Sequence, residues 1–182
     1  MVSQLGVSPD PANWGVAGWS MVGTCALTLT VKNPDLFSTF VDIDGDLFPN
    51  AGFQDQTIFR LIGGYAQAFR SFDPASVMNG HGPYSGPAGW FGVSGETATV
   101  HRDGTVGAGD PGPRPNRSDI EPVANYLCAV ASRNAIECSV VGVPAKHDWQ
   151  SGAQVFADAL PWLAGKIGTP GVPRVPLPGA AP

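Results

Sequence analysis

The sequence predicts an α/β fold built on a mostly parallel sheet, and three observations carry that prediction. First, short apolar runs with strand character alternate with helical stretches along the whole chain, the pattern of strands joined by crossover helices. Second, 182 residues are enough for one domain with a substantial core. Third, Ser20, Asp44, Glu96 and His147 each follow the end of a different predicted strand. In open parallel sheets the carboxyl ends of the strands are where sites form.

The elements follow in order. Trp14 to Gly18 is a short apolar run reaching a glycine, read as a buried strand. Ser20 to Val31 is apolar on nearly every side and stops at Lys32-Asn33-Pro34. It reads as a helix buried all round. Phe37 to Ile43 is the next strand, ending in Asp44-Gly45-Asp46. Gln54 to Ile62 is a helix closed by Gly63-Gly64, and Tyr65 to Phe72 adds a turn or two before Asp73-Pro74. Ala88 to Val93 is the third strand. Thr97 to Ser118 is a long polar loop, a length that usually signals function or mobility. Asp119 caps a helix to about Arg133, with Glu121 and Pro122 in its first turn. Ile136 to Val143 is the fourth strand, and Trp149 to Lys166 the final helix. Residues 168–182 read as a proline-rich disordered tail.

Composition narrows the partners. A net charge of −5 without any Lys/Arg cluster argues against nucleic acid or an anionic membrane surface. No run of about 18 apolar residues is present, so no membrane span is expected. MVSQLGVSPDP has neither a basic nor an apolar leader region, so no signal peptide is expected, which leaves the localisation open. Neither H-x-x-x-H nor C-x-x-C spacing occurs, so no metal and no cofactor are expected. The cysteines are Cys25, Cys128 and Cys138. Two readings stand: a bridge between Cys128 and Cys138, or three buried thiols.

The chemistry centres on Gly18-Trp19-Ser20-Met21-Val22-Gly23. A hydroxyl becomes a useful nucleophile when a base takes its proton and a third group fixes the base's tautomer. A serine on a sharp turn between strand and helix projects its Oγ into the site, and the next backbone N–H faces the developing oxyanion. Ser20 has that setting, and His147 follows the last strand, as the histidine does in the order Ser, acid, His. His81 sits in a flexible Gly-rich turn that could line a substrate cleft, as Trp19 and Trp149 could.

Two stretches, WGVAGWSMVGTCALTLTVKNPDLFSTFVDIDGDL and PAKHDWQSGAQVFADALPWL, resemble the esterase-D-like α/β-hydrolases, which are related to the actinobacterial mycolyltransferases. The resemblance runs from about Asn13 to Gly168 and rests on G-x-S-M at Gly18–Met21, N-P-x-x-F at Asn33–Phe37 and H-x-W at His147–Trp149. It implies a three-layer α/β-hydrolase fold over residues 1–167 lacking its N-terminal strands. It also implies an ester hydrolase or acyltransferase acting on small-molecule, lipid or glycolipid esters through an acyl-enzyme on Ser20. His147 becomes the general base and the Met21 N–H an oxyanion donor. The acid falls to Glu96, with Asp103, Asp110 and Glu121 as alternatives. Relatives of this kind act outside the cytoplasm, in the cell envelope.

Two departures from the family pattern set further expectations. Val22 stands where relatives have glycine or alanine, and overpacking there would cost about 1–3 kcal/mol. At about 30 residues per strand-and-crossover unit, roughly 100 residues of the family's N-terminal half are missing. A truncated reading frame or an expressed fragment would explain this. The first strand then becomes a bare edge through which the chain self-associates. A non-catalytic homologue, a binding module or a remnant, is the alternative function.

Overall fold

The structure is a computed structural model and describes residues 5–95, 104–107 and 109–180. Five strands form one sheet: β1 (Gly15–Trp19), β2 (Thr39–Ile43), β3 (Ala88–Ser94), β4 (Thr105–Val106) and β5 (Glu137–Val143). Their spatial order is β1-β2-β3-β5-β4, parallel except for the short β4, which runs antiparallel to β5. The helices are α1 (Met21–Lys32), α2 (Gln54–Ile62), α3 (Ala66–Phe69), α4 (Pro74–His81), α5 (Ile120–Arg133) and α6 (Trp149–Lys166). Among the described residues no helix is long and apolar enough to cross a membrane.

Alternation along the central strands divides the core between two faces. Phe40, Phe91 and Val140 point to one side, where Leu27, Val31, Met78, Val123, Leu127 and Ile136 complete the larger cluster. Val41, Ile43 and Trp90 point to the other, against Val155, Ala159, Trp162 and Leu163 of α6. Helices α1, α4 and α5 thus cover one face and α6 the other, which makes three layers. Strands β2 and β3 are buried along their whole length, as expected of parallel strands covered on both sides.

The structure departs from the sequence expectations at four places. Helix α1 is not buried all round: Met21, Val22, Cys25 and Leu29 form an exposed stripe, because β1 is the outermost strand and no described element flanks α1 on that side. The short α3 ends before Asp73-Pro74 as expected, but Pro74 also starts a further helix, occupying the first turn of α4, where its missing N–H leaves no acceptor unmet. The polar stretch after β3 contains β4, and its proline-rich part is anchored by Arg114, whose guanidinium binds the buried Asp73 carboxylate through two nitrogens at 2.9 and 3.0 Å. The tail is not loose where it is described. Leu177 is buried in the second cluster, and the Ser139 hydroxyl donates to the Pro178 carbonyl at 2.6 Å. An apolar side chain with a place to pack outweighs the proline-rich composition.

Cys128 and Cys138 are bridged, with Cα atoms 5.8 Å apart, joining α5 to β5. Cys25 is free and exposed, which removes the reading of three buried thiols.

Candidate active site

Ser20 occupies the turn between β1 and α1 with φ 57° and ψ −133°. A non-glycine residue in such a conformation costs about 1–3 kcal/mol and persists only where its surroundings enforce it. Three contacts enforce it here. The Ser20 N–H donates to the Ile43 carbonyl of the neighbouring strand at 2.7 Å, and the Ser20 carbonyl accepts from Gly23 at 2.8 Å. Gly18 lies against the Val22 carbonyl so closely that a Cβ there would overlap it.

The same turn corrects the expectation about Val22. Its side chain is 59 % exposed. The close approach falls one residue later, at Gly23, where a Cβ would run into the Asp42 carboxyl and the Ile43 and Gly18 carbonyls. The glycine requirement is met, because helix α1 turns Gly23 rather than Val22 toward the sheet.

His147 comes from the loop after β5. Its Nε2 lies 3.2 Å from Ser20 Oγ, and its Nδ1 lies 3.5 Å from Asp44 Oδ2. A carboxylate facing Nδ1 favours the tautomer with the proton there, so Nε2 is left to accept the Ser20 hydroxyl. The Asp44 contact is long, and contacts of this kind tighten when substrate engages. The ring is held by the cap that follows it in sequence and by an aromatic stack. Asp148, the next residue, caps α6 by accepting the Ser151 N–H at 2.8 Å. That bond holds the exposed Asp148 carboxyl below its usual pKa. The cap is therefore at full strength above the ordinary carboxylate range and is lost as the pH falls through the lowered value. Trp19 stacks on the imidazole with centroids 4.7 Å apart, and Trp149 packs on Trp19 at 4.5 Å.

Among the described residues, Asp44 is the carboxylate that the fold brings to the imidazole. It sits just past β2 with φ 51°, a left-handed conformation that aspartate tolerates better than most residues. Its side chain is fully buried. Oδ1 accepts the Ser94 N–H at 2.6 Å, while Oδ2 accepts the Ser94 hydroxyl at 2.5 Å and the Trp19 indole N–H at 3.2 Å. This differs from the acid assigned by resemblance. Glu96 and Asp103 lie outside the described residues. Asp110 is exposed and pairs with Arg133 at 3.3 Å, and Glu121 stands in the first turn of α5. The signal for Asp44 was present in the sequence, since it follows a strand end and is succeeded by glycine. The family expectation, which seeks the acid after the third strand, outweighed it.

The Trp19 ring lies between His147 and Gly152, where any Cβ would press on the indole, and its N–H reaches Asp44. His81 lies far from Ser20. It stacks on Tyr84 at 4.0 Å, and the buried Tyr84 hydroxyl donates to the Val31 carbonyl in the last turn of α1, whereas Ser20 precedes the first turn. Twelve helical residues, roughly 18 Å, separate the two ends. Burial pushes the Tyr84 phenol up to about 12. Trp149, 79 % exposed, and Met21, 48 % exposed, remain beside the Ser20–His147 pair.

The architecture has relatives among solved structures. S-formylglutathione hydrolase from Agrobacterium tumefaciens superposes with a TM-score of 0.64 at 17 % identity, over 87 % of this chain and 51 % of that one. A ferulic acid esterase gives 0.61 at 11 % identity, over 92 % and 57 %. The fold is that of an α/β-hydrolase. MPT51 (FbpC1) of Mycobacterium tuberculosis shares this hydrolase fold more distantly, with a TM-score of 0.50 at 15 % identity over 91 % and 64 %. The chain thus spans about half to two thirds of the hydrolase structures it matches. An uncharacterized protein of Corynebacterium glutamicum is 34 % identical over 90 residues, 47 % of this chain and 21 % of that protein. No family model matches the sequence.

Proposed function

We propose that this chain carries the acyl-transfer machinery of a serine ester hydrolase or acyltransferase, with Ser20 as nucleophile, His147 as general base and Asp44 as the acid that orients it. The observation behind this reading is the strained Ser20 turn, which aims Oγ at the His147 Nε2 3.2 Å away. Ser20 Oγ attacks the ester carbonyl carbon while its proton passes to Nε2. The oxyanion accepts the N–H of Met21, one of the first-turn amides of α1 that has no acceptor within the helix. Collapse breaks the ester C–O bond, and the Nε2 proton leaves with the alcohol. Water or another hydroxyl then attacks the acyl-Ser20 carbonyl, giving its proton to the same nitrogen, and Ser20 is regenerated. Asp44 stabilises the imidazolium in both halves without accepting the proton. Exposed Trp149 and Met21 offer apolar surface to the acyl group.

A fluorophosphonate probe tests the reading. Covalent labelling that disappears in Ser20→Ala and falls at least about 100-fold in His147→Ala supports it. Labelling that persists in Ser20→Ala defeats it. The bare outer side of β1, next to Ser20, favours a second reading, a homologue that binds without turnover. Stoichiometric substrate binding with no labelling of Ser20 would select that one.

A further inference from the structure

Asp42 lies between the two strained turns of the site, and the mechanism above does not use it. On β2 it stands opposite Gly18 of β1 and Phe91 of β3. The carboxyl is buried to within 2 %, and its Oδ1 has no hydrogen-bond partner among the described residues. It fills the gap between the first turn of α1 and the turn at Asp44, because a Cβ added to either Gly23 or Gly45 would collide with Oδ1. One carboxyl therefore bears on the backbone of both turns at once.

The surroundings decide its charge. The space around Asp42 is closed by Asp44, Gly45, Phe91, Ile120, Val123 and Leu127, and is too small to hold a water molecule. No cation stands among those residues. The ionisable groups that face it are the carboxylates of Asp44 and Asp46, while the Gly45 N–H offers a partial offset. Helix α5 faces it with Ile120, Val123, Ala124 and Leu127, and α1 meets it at Gly23. A buried charge without a counter-ion costs several kcal/mol, and such a carboxyl keeps its proton instead. Burial first, and then the Asp44 charge, raise its pKa well above the usual range.

We propose that Asp42 is a positioning residue, a neutral carboxylic acid wedged between Gly23 and Gly45 that holds the nucleophile turn and the Asp44 turn at a fixed spacing. The proposal rests on the assignment of Ser20, His147 and Asp44 given above. Unlike Asp44, Asp42 acts by shape and by staying uncharged, so an amide can replace it and a smaller side chain cannot.

The test uses the full chain with Asp42→Asn and Asp42→Ala, assayed on p-nitrophenyl butyrate and by amide hydrogen exchange over residues 20–25 and 43–47. Asp42→Asn is expected to keep kcat within about threefold of wild type and to leave exchange at both turns unchanged. Asp42→Ala is expected to lose about 100-fold in kcat, the effect of a displacement near 1 Å, with KM within about threefold. It should also accelerate exchange at both turns together. The thermal midpoint supplies a third reading. The wild-type folded state holds a proton that the unfolded chain releases above a pKa of about 3.9. Wild-type stability should therefore fall relative to Asp42→Asn as pH rises from about 4, up to the folded-state pKa. Equal losses in Asp42→Asn and Asp42→Ala would overturn the proposal, as would unchanged exchange at either turn in Asp42→Ala. If wild type neither turns over ester nor labels at Ser20, the catalytic reading fails by itself. Exchange and thermal midpoint then still decide the role of Asp42.

Discussion

The two edges of the sheet are treated in opposite ways. At the β5 edge, β4 pairs with Ser139 and Val140, the tail buries Leu177, and the Cys128–Cys138 bridge ties β5 to α5. At the β1 edge no further described residue is added: among the described residues β1 bonds to β2 alone, every residue of it is partly exposed, and α1 beside it shows the stripe of Met21, Val22, Cys25 and Leu29. The candidate site spans both. Ser20 hangs from the bare edge, His147 from the reinforced one, and Trp19 and Asp44 connect them. Stability therefore concentrates at one edge, and the alignment of the site depends on what crosses between them.

Four changes would sharpen or break that contrast. The largest stability effect should come from removing the bridge. Replacing Cys128 and Cys138 by serine is expected to cost about 2–4 kcal/mol, read by urea denaturation. A cost near zero would mean that the reinforced edge does not depend on its covalent tie. Leu177→Ala should cost about 2 kcal/mol in the same assay, since Leu177 is 7 % exposed and packs against the α6 face. A neutral result would show the tail to be dispensable.

Trp19→Phe is the change aimed at the connection. It keeps an aromatic ring against His147 but removes the N–H that Asp44 accepts, worth about 1 kcal/mol. Ester turnover or probe labelling should slow about fivefold, with global stability moving less than the rate. A loss of stability without a loss of rate would make Trp19 a packing residue only. The smallest effect on stability is expected at the bare edge, where Leu29→Glu should change it by no more than about 0.5 kcal/mol. That variant should nevertheless reduce concentration-dependent self-association measured by sedimentation, because an unpaired strand beside an apolar stripe is a template for pairing. Wild-type protein that stays monomeric at high concentration would remove this expectation.

How much of this was legible in the sequence follows the same division between local and long-range causes. The order of strands and helices follows from periodicity, because β2, β3 and β5 are apolar runs closed by Gly or polar residues. The Ser20 turn is legible from Gly18 and from the strand and helix on either side. The role of Val22 was not, since a motif spacing does not tell which residue of the first helical turn faces the sheet. Leu177 is one apolar residue among prolines, and its burial depends on a groove that β5 and α6 form only once the sheet has assembled. Asp44 was passed over as the partner of His147 for the same reason. Asp44 and His147 are 103 positions apart, and only parallel pairing of β2, β3 and β5 places their loops side by side. Trp19 was read from its place at a strand end as a lining residue, and its indole N–H contact with Asp44 was not legible there.

The stacked Trp19 ring also makes the site optically visible. An imidazolium quenches a neighbouring indole far more than a neutral imidazole does, so emission from Trp19 should track the proton on His147. Difference spectra between wild type and Trp19→Phe would separate that signal from the other four tryptophans. The charge state of the base could then be followed in solution without any substrate.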